Sequence, residues 1–391
     1  MSKNHKVKVG IVTENHFPRL GGMEYCTYFL ARALNMLPDT FACVACSDMP
    51  EVPSRFPYPY KAYMAKSFSL LTQLLYRKNI KKMISQERIN ILHGMMLHGG
   101  GATAVNIGKE LGIPVVVQSH GSDVQKVPEI GYGTRLSPEA FIRVKFSIKN
   151  SDKIIALSSL TRDMIVELGG VPEKIIIIPN AFPNEEIHSV PHENLRTKYN
   201  LGPEDFVIIS SGRNRPVKRM QLLFQALSSL KKERNRFKCI CVGPEENLPK
   251  MIKNFDIEDV IILTGQIPPP NEKKPHFPPY PELINLYRTA NLYISVSYVE
   301  AFNASGLEAL ACGTPVLVTK MQGIRDVIKE GETGFTLREE TPEALAETLL
   351  NLIQKKDELE SRREYIKNSV SHLNWDNIAK QMRDVYVTLL E

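Results

Sequence analysis

Residues 290–319 read ANLYISVSYVEAFNASGLEALACGTPVLVT. Two apolar runs, Ala290–Ser297 and Pro315–Thr319, have the length and side-chain types of buried strands. Between them lie a loop and a short helix that ends at Gly313 with Pro315 beyond it. Glu300 would stand at the carboxyl end of the first strand, where open α/β sheets bind their ligands. Glu308 would lie about two turns into the helix. The residues around both are Gly, Ala, Ser, Cys and Leu, too small and apolar for a solvated face, so the two carboxylates are expected to face one crevice. The backbone N–H groups of Phe302, Asn303, Ala304, Ser305 and Gly306 would open a helix N-terminus suited to an anionic group such as a diphosphate.

The same alternation recurs outward from this stretch. The first half carries the apolar runs VKVGIVTE, FACVACS, INILHG, PVVVQSH, KIIALS and KIIIIP. They are separated by amphipathic stretches at Met23–Asn35, Lys66–Gln86, Thr103–Leu111, Pro138–Lys149 and Thr161–Leu168. The second half restarts with FVIISSGR and a helix at Arg219–Lys232, then runs through KCICVGP, VIILTG, LYISVS, PVLVT and TGFTL, with helices from Thr341 onward. A repeated βα unit builds a parallel sheet covered by helices on both faces. The expected fold class is α/β, with two Rossmann-like, doubly wound domains joined near Asn184–Pro191, where the chain is polar and flanked by prolines. Gln266–Pro281 (QIPPPNEKKPHFPPYP) breaks the rhythm with seven prolines. It reads as a rigidly turned insertion, either shaping the nearby crevice or touching a partner, or as a solvated decoration.

Composition bounds the class of function. At 391 residues the chain is long for one core, and 43% hydrophobic content with one tryptophan suits an α/β protein in water. No apolar run reaches the roughly 18 residues a membrane span needs. MSKNHKVKVGIV lacks the layout of a signal peptide, so a cytoplasmic location is expected. Four of the six cysteines, Cys43, Cys46, Cys239 and Cys241, lie in strand-like runs and read as reduced, buried thiols. Cys43 and Cys46 form a C-x2-C, but no second pair accompanies them, so no metal is expected. The formal charge is +6 without a recognisable nucleic-acid motif, so a nucleic-acid partner is not expected. A dinucleotide oxidoreductase is disfavoured because Gly-x-Gly-x-x-Gly follows the first strand of neither half.

Four further segments stand where ligands would be met: Gly21-Gly22-Met23-Glu24, His120-Gly121-Ser122-Asp123, Ile178-Pro179-Asn180-Ala181, and Gly212-Arg213 with Lys218. With the E-x7-E of Glu300 and Glu308, and in this order, they resemble the retaining glycosyltransferases of family 4 over nearly the whole chain. The resemblance implies the GT-B fold, two Rossmann-like parallel-sheet domains facing a central cleft. Residues 1–185 would bind the acceptor and 186–374 the nucleotide sugar, with a terminal helix at 375–391 crossing back to the first domain. It further implies metal-independent transfer, without a cofactor, from a UDP-, GDP- or ADP-sugar to a glycan, lipid-linked or small-molecule acceptor, as in polysaccharide or glycolipid synthesis. A sugar-nucleotide epimerase or hydrolase, and a non-catalytic binding homologue, stand as alternatives.

The residues themselves suggest roles. Arg213 and Lys218 follow the second half's first strand and offer a fork and a point charge for phosphate oxygens. Cations at a helix start oppose the dipole, which argues that an anion compensates them. Gly21 and Gly22 permit close backbone approach to a ligand. His120 ends a strand beside Gly121 and Asp123 and is placed to donate to a sugar hydroxyl. The resemblance implies that Glu308 bonds the ribose hydroxyls, that Glu300 contacts the donor sugar, and that Asp123 neighbours the acceptor. His98, ahead of Gly99-Gly100-Gly101, would form a further wall of the acceptor pocket. Two departures from the family pattern are Asn303 and Arg219, each where the family commonly has glycine.

Tyr60–Arg88 mixes Phe68, Leu70, Leu71, Leu74, Leu75 and Tyr76 with Lys66, Arg77, Lys78, Lys81, Lys82 and Arg88. Two readings stand: a helix lying on an anionic membrane at the inner face, or a surface helix whose apolar stripe packs on the sheet.

Overall fold

A computed structural model describes residues 6–17, 21–46, 57–64, 72–233, 235–268 and 280–391. The chain divides into two compact units, Met1–Ala181 with Leu373–Glu391, and Phe182–His372.

The first unit is built on a seven-stranded, all-parallel sheet. Its strands are β1 (Val7–Thr13), β2 (Thr40–Cys46), β3 (Lys61–Met64), β4 (Ile91–Met95), β5 (Val115–Gln118), β6 (Lys153–Ala156) and β7 (Ile175–Ile177), in the order β3-β2-β1-β4-β5-β6-β7. The second unit carries β8 (Phe206–Ser211), β9 (Phe237–Val242), β10 (Ile261–Gly265), β11 (Leu292–Ser295), β12 (Val316–Val318) and β13 (Gly334–Thr336), in the order β10-β9-β8-β11-β12-β13. Strands buried on both faces need apolar residues at every position, which is why these runs are continuous rather than alternating. Register is pinned by pairs such as Ile11↔Val44 and Ile11↔His93 on either side of β1, and Ile209↔Ile240 beside β8. In each unit the order reverses once, between β1 and β4 and between β8 and β11, and at such a switch the flanking loops diverge to leave a crevice outside the carboxyl ends.

Local sequence fixes where the helices begin. Ser137, Ser158, Thr341 and Asn374 each accept a backbone N–H three residues on, at the starts of Pro138–Asn150, Ser159–Glu167, Pro342–Gln354 and Trp375–Leu390. Leu223, Phe224 and Leu227 of the helix Met220–Lys232 are fully buried against the second sheet; burial of each such side chain contributes about 1.5–3 kcal/mol. The terminal helix Trp375–Leu390 belongs to the first unit: Trp375 stacks on Phe29 at 5.9 Å, and the Tyr386 hydroxyl meets His93 Nδ1 at 2.6 Å.

Two segments differ from expectation. Lys61–Met64 is a strand, not the start of a helix, because it completes the sheet edge beside β2. The helix that follows is described from Thr72 to Glu87, and its stripe of Tyr76, Ile80 and Met83 is buried in the unit's own core. Arg77 pairs with Glu110 at 3.2 Å and Lys81 with the same carboxylate, while Leu74 and Leu75 remain exposed. Asn184–Ser189, within the polar join, is a short helix that buries Ile187 in the second unit. Lys66, Phe68, Leu70 and Leu71, and most of the proline-rich insertion (269–279), lie outside the described residues.

Candidate active site

In the second unit, the loops at the switch between β8 and β11 carry Gly212–Arg219 and Val296–Glu300. Backbone pairing continues past the strand ends, with Gly212 N–H donating to Val242 O at 2.9 Å and Gly243 N–H to Gly265 O at 3.0 Å. Gly243 has φ 141°, and a β-carbon on it would lie 2.1 Å from Gly212 O, so only glycine lets these loops touch. Lys218 closes the 3-10 turn Pro216–Lys218 instead of opening the helix, which begins at Met220 behind Arg219. Its side chain passes over Gly212, and Nζ pairs with Glu300 Oε1 at 2.6 Å. Arg213 is exposed and lines the same depression as Lys218, Ser211 and Ser297.

The helix after β11 runs Ala304–Ala311, so Glu308 stands one turn from its start rather than two. Asn303 explains this late start. At φ 82° it caps the helix, and its Oδ1 accepts Gly306 N–H at 3.0 Å and the Tyr293 hydroxyl at 3.2 Å. Its Nδ2 donates to Gln322 Oε1 at 2.8 Å, and Gln322 Nε2 donates to Ser295 O at 2.7 Å and Thr319 Oγ1 at 2.9 Å. The Gly306 amide is therefore spent on the cap, and Phe302 and Asn303 are buried side chains. Of the expected donors, Ala304 and Ser305 head the helix. Glu308 is oriented by Tyr287, whose hydroxyl donates to Oε2 at 3.4 Å and lies 3.2 Å from Ser211 Oγ. Burial, and then the Glu308 charge, hold the Tyr287 phenol well above its usual range, so it remains a donor. The buried Tyr293 ring lies within electrostatic reach of Lys218, Glu300 and Glu308 alike, so the two carboxylates and the ammonium flank one pair of rings.

In the first unit the switch loops carry Gly21 and Gly22 after β1, and His98 after β4, with His120 after β5. Gly21 is extended at φ −176° and precedes the helix Gly22–Met36. A β-carbon on Gly21 would sit 2.2 Å from Glu24 Oε2, whereas on Gly22 it would meet nothing within 4 Å. Beside Gly21 lies the end of the Glu24 side chain, and Gly22 is the one with open space beside it. Asp123 is fully buried. Its Oδ2 accepts Leu97 N–H at 2.9 Å, and its Oδ1 accepts the Ser119 hydroxyl at 2.8 Å and Gly121 N–H at 2.9 Å. Asp123 is engaged within the protein, where it ties the turn that bears His98 to the loop that bears His120. Both imidazoles keep a buried nitrogen without a protein partner, Nδ1 of His98 and Nε2 of His120. Burial lowers the His120 pKa to about 4 against the opposing pull of Asp123, so the ring is neutral at pH 7. His93 is lowered to about 3, chiefly by burial.

The chain has known relatives. The family described as glycosyl transferases group 1 matches residues 191–371, and that described as Glycosyltransferase Family 4 matches residues 20–186. The chain belongs to the group 1, family 4 glycosyltransferases. Among curated relatives of this glycosyltransferase is the D-inositol 3-phosphate glycosyltransferase of Thermobispora bispora, 26% identical over 292 residues, which cover 72% of this chain and 66% of the relative. The alpha-monoglucosyldiacylglycerol synthase of Streptococcus pneumoniae is 23% identical over 335 residues, covering 80% and 70%. In fold the glycosyltransferase is similar to Anabaena HepE, solved with UDP and glucose, at TM-score 0.74, 18% identity, and coverage of 98% and 100%.

Sequence reasoning missed the supporting residues of this glycosyltransferase. Tyr287, Ser211 and Gln322 act through contacts between segments far apart in the chain. A buried tyrosine in an amphipathic helix, such as that in PELINLYRT, carries no local mark of the carboxylate it will meet. Among the described residues, no three His, Cys, Asp or Glu side chains gather as a metal-binding set, and no helix is long and apolar enough to cross a membrane.

Proposed function

We propose that the protein transfers a sugar from a nucleoside-diphosphate sugar to a hydroxyl acceptor with retention of configuration, and that side chains and main-chain donors, rather than a metal ion, hold the diphosphate. The observation that carries this reading is Lys218, held 2.6 Å from Glu300 in a depression that Arg213 also lines. As the glycosidic bond breaks, negative charge grows on the departing phosphate. A lysine and an arginine fixed beside it, with the Ala304 and Ser305 amides, are stronger there than in water because they need no reorganisation. Glu308, which only accepts hydrogen bonds, suits a ribose diol, and Glu300 suits the hydroxyls of the sugar. Both carboxylates are engaged, Glu300 by Lys218 and Glu308 by Tyr287, which favours proton transfer from the acceptor hydroxyl to the leaving phosphate over a covalent glycosyl intermediate. The new bond joins the acceptor oxygen to the anomeric carbon, and the nucleoside diphosphate leaves with the acceptor's proton.

The imidazoles of His98 and His120, each with an unfilled buried nitrogen, suit a polyhydroxylated acceptor or the hydroxyls of the transferred sugar. Gly22 offers room for close backbone approach. A lipid-linked acceptor at the inner face of a membrane is part of the proposal, with Leu74 and Leu75 exposed beside Lys78 and Lys82. Failure to sediment with anionic vesicles would remove that element alone. A panel of UDP-, GDP- and ADP-sugars, read by thermal shift, tests the donor, since a ligand that binds the folded state raises its melting temperature. Incubation with each donor alone separates transfer from hydrolysis or epimerisation. Activity that survives EDTA, and an α-linked product from an α-linked donor by NMR, are the expected results.

A further inference from the structure

Arg219 occupies a backbone conformation that glycine takes without strain. Its φ of 49° and ψ of 43° lie in the left-handed region, where a β-carbon crowds the following carbonyl. It also stands just ahead of the helix Met220–Lys232, where a positive charge opposes the helix dipole. A residue held against two local preferences is kept there by its surroundings. Its guanidinium supplies the reason. Nε donates to Val296 O at 2.6 Å and Nη2 to Ser297 O at 3.3 Å. Nη2 also pairs with Glu340 Oε2 at 2.6 Å, and the guanidinium carbon lies 4.4 Å from the centre of the Tyr298 ring.

Directly and through Glu340, these contacts bind four loops at the carboxyl edge of the second sheet, those after β8, β11 and β12 and the one after β13 that carries Glu340. The turn after β8 is joined to the segment after β11 through Arg219, and again by Tyr298 N–H donating to Val217 O at 2.8 Å. The other oxygen of Glu340 accepts Lys320 N–H at 3.3 Å, which brings in the loop after β12. That loop in turn holds Glu300, whose N–H donates to Met321 O at 2.9 Å and whose O accepts Gly323 N–H at 3.1 Å. Lys218 is the residue before Arg219, and Glu300 lies two residues beyond Tyr298. The 2.6 Å Lys218–Glu300 pair is therefore spanned by a clamp that neither residue makes itself.

We propose that Arg219, with Glu340, is a positioning residue that sets the Lys218–Glu300 geometry before the donor binds. The proposal rests on the reading of that pair as the diphosphate and sugar site. Lysine is a flexible side chain, and what it contributes to a transition state depends on how firmly its base is fixed. A planar fork can hold two carbonyls and a carboxylate together. A lysine at 219 would keep the charge and lose the fork, and a glycine would relax the backbone and lose the link.

The test uses the full chain as wild type, Arg219→Gly, Arg219→Lys and Glu340→Gln. Melting temperature, ligand-free amide hydrogen exchange, acetylation of Lys218 followed by mass spectrometry, UDP binding by calorimetry, and transfer from UDP-glucose are measured. If position 219 serves only the turn, glycine is neutral or stabilising in every readout. If it is the clamp, Arg219→Gly melts near the wild type, while the Tyr298 and Glu300 amides exchange at least about tenfold faster and Lys218 is labelled faster. The turnover number then falls at least about tenfold with less than about a twofold change in acceptor KM. Arg219→Lys recovers part of the loss, and Glu340→Gln shifts the same readouts less. Unchanged exchange and labelling in Arg219→Gly overturn the proposal; should that variant not fold, the same result in Arg219→Lys does so. If exchange and labelling rise but UDP, GDP and ADP fail to bind even the wild type, the positioning role stands and the diphosphate reading falls.

Discussion

The carboxyl edges of the two sheets share a topology and differ in chemistry. At the second edge, charges are present and already paired: Lys218 with Glu300, Arg219 with Glu340, and Glu308 with a tyrosine. At the first edge the Asp123 carboxylate is engaged inside the protein, and the half-buried imidazoles of His98 and His120 each keep a buried nitrogen without a protein partner. One fold can thus be tuned for an ionic ligand by exchanging internal ion pairs, and for an uncharged hydroxylated one by leaving hydrogen-bonding atoms dry and unmatched. The difference teaches that function here lies in loop chemistry and not in sheet order.

The largest effect should come from Lys218→Ala. Loss of one fixed cation is expected to reduce turnover about 10²–10³-fold while the melting temperature moves little. Near-normal transfer by that variant would dissolve the contrast, because the second edge would then not be the ionic one. His120→Ala should lower transfer by about 10–100-fold and leave UDP affinity unchanged by calorimetry. A matching loss of UDP affinity would show that the first edge also serves the nucleotide. Glu308→Gln should weaken UDP binding by roughly tenfold, the scale of a charged hydrogen bond, and Tyr287→Phe should do so by less; equal affinity in both would free the ribose from Glu308.

The last effect is on stability and not on transfer. His93 and His120 have folded pKa values of about 3 and about 4 against 6.5 for the exposed ring. The unfolded chain therefore takes up protons first, so their contribution is fully present above pH 6.5 and is lost as pH falls toward 4. Denaturant midpoints between pH 7 and pH 5 should show stability decreasing by about 1 kcal/mol per pH unit for each buried histidine. A flat profile would mean these rings are hydrated and the first edge is not dry.

Much of this was legible along the chain. Twelve of the thirteen strands among the described residues follow from runs such as VKVGIVT and FVIISS, since strands buried on both faces are apolar throughout. Lys61–Met64 escaped because an edge strand is short and half exposed, and Tyr, Met and Ala suit a helix equally. Lys218 and Glu300 were legible as residues of the loops after β8 and β11, and Glu308 as a residue of the helix that follows. The internal partners of Asp123 were not legible, because a buried carboxylate and a ligand-facing one look alike until their partners are known.

The sequence by itself determined the two doubly wound sheets, the glycines that open their carboxyl edges and the charges placed there, because periodicity and spacing are properties of neighbours in the chain. Only the tertiary structure decided which charges meet, that Asn303 consumes the Gly306 amide, and that Arg219 fastens three loops. Those outcomes depend on distances between residues dozens of positions apart, and hydrogen bonds and ion pairs decay over a few ångströms.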